Sequence, residues 1–167
     1  TKIMSLGGAT EASIWSIYYE IGEVKPAWKS IPYGMPLKNQ TMYVLNFAGE
    51  LCPMDVVGEI YIGGVGVAQG YCGDTEKTEA AFIQHDHLGR IYKTGDMGVL
   101  RKEGYIEFLG RIDNQVKIRG YRIELGEIES AINNVRGIEK SVVSYVVNRT
   151  GNKQLIAYYI PTSNDLA

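Results

Sequence analysis

Short apolar runs broken by glycine dominate the chain, and helical spacing is rare. Residues 4–19 read MSLGGATEASIWSIYY. Paired Gly7 and Gly8 are costly inside a helix, so a strand is predicted to end there. A short helix or extended turn then carries Ile14, Trp15 and Ile17. Residues 22–39 hold Pro26, Pro32 and Pro36 and read as loop. Strands are predicted at 41–45, at 59–62 with Gly63-Gly64 stopping it, and at 90–93 ahead of Thr94-Gly95-Asp96. Residues 46–55 form a turn region. Residues 98–109 have the pattern of a hairpin that turns at Lys102-Glu103-Gly104.

Two stretches predict helix. Asp74 or Thr75 can cap one through Ala81, with Glu76 and Glu79 near its positive end. The clearer one is 125–135, where Ile128, Ala131, Ile132 and Val135 fall on one face and Gly137 ends the run. Strands at 141–147 and 155–160 flank a polar turn. This last segment reads β-α-β-β and differs in texture from the glycine-rich β part before it. The expected fold class is therefore α/β, of α+β type, in two parts: 1–112, and 113–167 with the boundary near Asp113. No internal repeat is evident.

Composition narrows the classes. With 167 residues, 45% hydrophobic and 22% charged, a packed core is expected and wholesale disorder is not. Lys and Arg total 17 against 19 Asp and Glu, which argues against a nucleic-acid partner bound through bulk charge. No apolar run approaches the roughly 18 residues that span a bilayer, and no basic-then-apolar leader opens the chain, so a cytoplasmic location and no membrane partner are expected. Cys52 and Cys72 lack Cys-x-x-Cys spacing and read as buried thiols rather than a disulfide or zinc framework. Twenty glycines are more than the usual ~7% and suggest tight turns around a ligand.

Several clusters could carry chemistry. In Gly8-Ala9-Thr10-Glu11, small residues let the backbone approach an anion, a hydroxyl can bond phosphate and a carboxylate can hold Mg²⁺. The same residues also suit a plain turn with Thr10 as helix cap. Asp96, after a strand, can accept two hydroxyls as acidic residues do with ribose, or can cap a turn. Residues 110–126 set Arg111, Asp113, Lys117, Arg119, Arg122 and Glu124 among Gly110, Gly120 and Gly126, the texture of a charged, mobile connector of hinge type. His85 and His87 flank Asp86 without a third ligand nearby and read as an exposed loop. The glycines from 63 to 70 resemble a phosphate loop only weakly.

Four stretches, GGATE at 7–11, GEIYIGGVGVAQGY at 58–71, YKTGDMG at 92–98 and GRIDNQVKIRGYRIELGEIE at 110–129, resemble in order and spacing the adenylation domains of nonribosomal peptide synthetases, members of the adenylate-forming superfamily. The resemblance covers essentially the whole chain. It implies that residues 1–112 are the C-terminal, β-rich portion of the large AMP-binding domain, and that 113–167 are the hinge and the start of the small α+β domain. It implies an activity too: an amino acid and ATP give an aminoacyl-adenylate, and the acyl group passes to the phosphopantetheine thiol of a peptidyl carrier domain. Thr10 would then lie by the phosphates, and Glu11 would hold Mg²⁺. Asp96 would bind the ribose hydroxyls, with Arg111 beside it and Lys117 near the adenylate. Asp113 would be the hinge.

The pattern departs from the family in two places. The first site usually reads Tyr-Gly-Pro-Thr-Glu, with the aromatic packed on adenine; here Gly7 and Ala9 replace Tyr and Pro, so adenine must be held otherwise. A tyrosine that bonds a ribose hydroxyl is replaced by Phe108. The family's upstream phosphate loop and downstream Gly-Lys segment are not seen, so the chain is expected to be a piece of the domain, inactive by itself. An adenylation-like interaction module is the alternative reading, and an acyl-CoA synthetase relative is another. By spacing, Leu6, Ile14 and Trp15 would line the amino-acid pocket. None is charged, and with GGATEASIWS they resemble the cysteine-activating type that works beside condensation or heterocyclisation domains, so L-cysteine is the expected substrate.

Overall fold

The computed structural model describes residues 1–162 except Ala27, Lys29, Asn114, Arg119, Gly120, Arg149 and Thr150, and describes only the backbone of Lys117 and Arg122. The chain forms two compact units, Thr1–Ile112 and Asp113–Ala167. Both are built mostly from antiparallel strands, with a few short helices, a mixed α/β architecture.

In the first unit, β1 (Ile3–Gly7) pairs with β2 (Ile17–Ile21), and β2 pairs with the short β3 (Met35–Pro36). A larger sheet follows. It holds β4 (Gln40–Leu45), β5 (Val57–Gly64), β6 (Phe82–His85), β7 (Gly89–Leu100) and β8 (Ile106–Arg111). The order is β4-β5-β7-β6, with β8 also on β7. β5 takes one edge of β7; β6 and β8 share the other, β6 pairing with 89–92 and β8 with 96–100. α1 (Thr75–Ala81) leads into β6, and the Asp74 carboxylate caps it by accepting from the Lys77 N–H at 2.9 Å.

β5 is central, and six of its residues in a row are buried. Strand alternation sends Ile60 and Ile62 to one face and Tyr61 to the other. Ile60 packs with Ile17, Val44 and Ile106, and Ile62 with Ala12, Phe82 and Tyr92. The opposite face joins Tyr61 to Leu45 and Ile91. The core thus ties the 10–17 segment to the large sheet.

In the second unit, β9 (Gln115–Ile118) and β10 (Tyr121–Glu124) form a ladder, α2 (Leu125–Asn133) follows, and β11 (Ile138–Val147) pairs with β12 (Lys153–Pro161). The helix is fastened to β11: Glu129 accepts from the Val143 N–H at 2.8 Å, and the Ser141 hydroxyl donates to Asn133 at 2.8 Å.

The structure departs from the sequence reading where sheet pairing overrides local pattern. Gly63 and Gly64 lie inside β5 because both pair with β4. The strand expected at 90–93 runs on to Leu100, so Asp96 sits within a strand and not beyond its end. The charged stretch after Arg111 is largely the β9–β10 ladder. On α2 the inward side is Leu125, Ile128 and Ile132, while Ala131 is exposed; the helix ends at Asn133, and Val135 lies exposed beyond it. His85 belongs to β6, its ring nitrogen 2.9 Å from the Gly49 carbonyl oxygen. Cys52 is half-buried, but Cys72 is exposed. Among the described residues no helix is long and apolar enough to cross a membrane.

Ile60 is 0% exposed at the middle of this core. Ile60→Ala is expected to cost about 2–5 kcal/mol by leaving a cavity. Urea unfolding of the protein that carries this chain measures it; a loss below 1 kcal/mol, on the scale of a surface change, would place the core elsewhere.

Candidate functional site

The first part of the site is a doubled-back turn. Between β1 and β2, the Ser16 N–H donates to the Gly7 carbonyl at 2.8 Å, and both Ala12 and Ile14 donate to the Ala9 carbonyl at 2.9 Å. Thr10–Ala12 is a single 3-10 turn. Gly8 has φ +144, and a Cβ there would stand 2.6 Å from the Ile14 carbonyl oxygen and the Ser16 nitrogen, so only glycine allows this closure. Thr10 makes no side-chain cap; the cap position is Ala9.

Glu11 points inward and is 8% exposed. Its Oε1 accepts from the Tyr71 hydroxyl at 2.9 Å. The loop after β5 supports the same turn: the Ala68 N–H donates to the Glu11 carbonyl at 2.8 Å and the Ser13 hydroxyl to the Gly66 carbonyl at 2.9 Å. That loop is fixed in turn by Arg90, which donates to the carbonyls of Ala68 and Gln69. The glycines from 63 to 70 therefore brace the Thr10-Glu11 turn. Burial raises the Tyr71 phenol, with Glu11 adding to it.

The second part is a bulge in β7. Tyr61 opposes Lys93 and Glu59 opposes Met97. Between these pairs β5 contributes Ile60 alone, whereas β7 contributes Thr94, Gly95 and Asp96. Extra residues in one strand bend it and re-aim its side chains. Gly95 takes φ +73, which favours glycine. Glu59, buried in an apolar strand, anchors the loop: its Oε1 accepts from the Gly95 N–H at 3.1 Å and its Oε2 from the Tyr61 hydroxyl at 3.2 Å. The Thr94 hydroxyl donates to the Ile60 carbonyl at 2.6 Å and accepts from the Asp96 N–H at 3.0 Å.

Asp96 then faces Arg111, its register partner on β8. Arg111 Nη1 donates to Asp96 Oδ1 at 2.9 Å and to the Thr94 carbonyl at 3.1 Å. The Ile112 N–H closes the frame on the Gly95 carbonyl at 2.8 Å. Charge-assisted bonds of this kind fix direction as well as distance.

Tyr33 lies between the two parts. Its ring abuts Gly7, and its centroid is 6.0 Å from that of Phe108. Burial pushes its phenol up to about 12; the Asp96 charge adds to this, and the Gly8 N–H, bonded to the phenol oxygen, opposes it. Gly8, Ala9, Thr10, Glu11, Asp96, Phe108 and Arg111 are thus gathered by one unit. Leu6, Ile14 and Trp15 flank the turn and are 44%, 63% and 58% exposed. Ile14, β-branched at φ +68, is strained there. Asp113 opens the second unit, its carboxylate accepting from the Gln115 N–H at 3.1 Å. The side chain of Lys117 lies outside the described residues. Sequence reasoning missed Glu59, Tyr71 and Tyr33. A carboxylate inside the apolar run at 59–62 was the available signal for the first; the others needed the fold.

Tyr61 is also pushed up to about 12, by burial first and then by Glu59. Both Tyr33 and Tyr61 stay protonated in the folded protein where an unfolded tyrosine ionises near 10. Their contribution to stability is complete below about pH 10 and is lost as pH rises toward 12. Chemical unfolding across that window should show a falling stability with a shallower fall in Tyr61→Phe. An identical slope in the variant would contradict the assignment.

Residues 1–72 match the AMP-binding enzyme family. Bacitracin synthase 1 of Bacillus licheniformis is 59% identical over 159 residues, covering 95% of this chain and 3% of that protein. Pyochelin synthetase PchF of Pseudomonas aeruginosa is 52% identical over 132 residues, covering 79% of this chain and 7% of that protein. The chain thus spans a small part of the curated relatives it matches. Among solved structures, PA1221, an NRPS protein containing adenylation and PCP domains, superposes with a TM-score of 0.84 at 29% identity, over 97% of this chain and 33% of that one.

Proposed function

The chain belongs to the AMP-binding enzymes, as part of an adenylation domain of the nonribosomal peptide synthetase type, and from that premise we propose that the protein carrying it is a ligase that activates an amino acid with ATP and loads it on a carrier domain. The observation that carries the reading is the Asp96–Arg111 pair, 2.9 Å apart on neighbouring strands and aimed by the bulge. A carboxylate so held can accept two vicinal hydroxyls, as acidic residues do with ribose.

Gly8 and Ala9 let a phosphate approach the backbone, and Thr10 offers it a hydroxyl. Arg111 steadies the carboxylate and the ribose edge, and Phe108 adds a ring without a hydroxyl. Lys117 acts near the adenylate, and Asp113 is the hinge between the two half-reactions. Attack of a carboxylate on the α-phosphate needs positioning and charge neutralisation more than proton transfer.

Glu11 suits Mg²⁺. That ion takes one or two carboxylates together with substrate phosphates, and Glu11 is a single carboxylate whose Oε1 the Tyr71 hydroxyl orients. When bound, Mg²⁺ neutralises charge on the phosphates.

For the substrate, Leu6, Ile14 and Trp15 give a charged side chain no partner, and Trp15 takes up volume that an aromatic one would need. L-cysteine fits this lining. A peptidyl carrier domain bearing phosphopantetheine is the acceptor, in keeping with the adenylation and PCP domains of PA1221. A condensation or heterocyclisation domain is the neighbour.

Amino-acid-dependent ATP–pyrophosphate exchange on the full-length protein tests the reading. Cysteine should rank first among the twenty amino acids. Asp96→Ala should raise the KM for ATP at least about tenfold, since a charge-assisted bond to ribose is worth roughly 1.5–3 kcal/mol. Cysteine ranking below serine, threonine and valine would overturn the pocket assignment, and an unchanged KM would reduce Asp96 to a turn residue.

A further inference from the structure

Tyr33 occupies the space in which a side chain at position 7 would grow. A Cβ built on Gly7 would stand 2.1 Å from Cε2 and 2.8 Å from Cδ2 of the Tyr33 ring. No real Cβ tolerates such distances, so the ring and the glycine are a size-complementary pair. The ring's place is fixed on several sides. It packs against the buried cluster of Ile17, Val44, Ile60 and Ile106. Its neighbour Gly34 exchanges two backbone bonds with Ile106, at 3.0 and 2.7 Å. Phe108 lies beside it at a 55° tilt.

Tyr33 is only half-buried and Phe108 is 40% exposed. Tyr33 therefore stands against Gly7 at the head of the Gly8–Glu11 turn and within reach of the Asp96 charge, with Phe108 beside it, and each ring keeps part of its surface open. Flat aromatic faces next to a hydroxyl-binding carboxylate are what a nucleoside requires, because every base has a face to stack.

We propose that Tyr33 is the aromatic wall of the nucleotide site, seated in the space that Gly7 leaves open, where it flanks the adenosine moiety. The inference rests on the nucleotide reading above.

The test is binding, not turnover: the affinities of the full-length protein for AMP and for tripolyphosphate, measured separately. Tyr33→Ala should weaken AMP about tenfold, the scale of one lost base–aromatic contact, and leave tripolyphosphate unchanged. Tyr33→Leu keeps the apolar packing without the aromatic face, should behave alike, and carries the test if the alanine variant does not fold. Gly7→Tyr alone should disrupt the turn, whereas Gly7→Tyr combined with Tyr33→Ala should recover AMP binding. Wild-type AMP affinity in Tyr33→Leu, or equal weakening of both ligands, overturns the Tyr33 assignment. Failure of the unsubstituted protein to bind AMP overturns the nucleotide reading itself.

Discussion

The buried carboxylate of Glu59 is the fixed point of the site. It stands in the most enclosed strand of the large sheet, where an ionisable group is costly unless bonded. Its partners are the Gly95 N–H, the Tyr61 hydroxyl and, at 3.7 Å, the Lys93 ammonium. The consequence is structural. The extra residues of β7 can leave the ladder because Glu59 satisfies the backbone N–H that the bulge would otherwise leave unmatched.

From that anchor the geometry follows outward. The bulge turns Asp96 toward β8, where register alone delivers Arg111. The same sheet carries Ile60 and Ile62, whose packing with Ile17 and Ala12 holds the Gly8–Glu11 turn against it. Tyr71 and the loop after β5 then orient Glu11 from beneath. Two short segments far apart in sequence thus meet through one hydrophobic core.

Much of this was legible in the residues. The paired glycines ended β1, the Asp74 cap and its helix fell where the pattern placed them, and the turn at 102–104 closes a hairpin. These features depend on neighbours in the chain. What failed to show depends on pairing across the sheet. Nothing local says that Thr94-Gly95-Asp96 is a bulge, since its extra length exists only relative to β5. His85 read as loop because β6 is four residues long and is made a strand by β7. The match between Gly7 and Tyr33 joins a missing side chain to a large one and was invisible until the fold brought them together.

Under the proposed function, Glu59 acts on the nucleotide through the bulge and Asp96. A double-mutant cycle of Glu59→Ala and Asp96→Ala in the full-length protein, read in the KM for ATP and for the amino acid, measures it. Residues in one network couple by 0.5–3 kcal/mol, whereas independent ones add within about 0.5 kcal/mol. Glu59→Ala is expected to raise the KM for ATP with little change for the amino acid, and adding Asp96→Ala should then cost little more. Fully additive effects, or a Glu59→Ala protein with a normal KM for ATP, would contradict it.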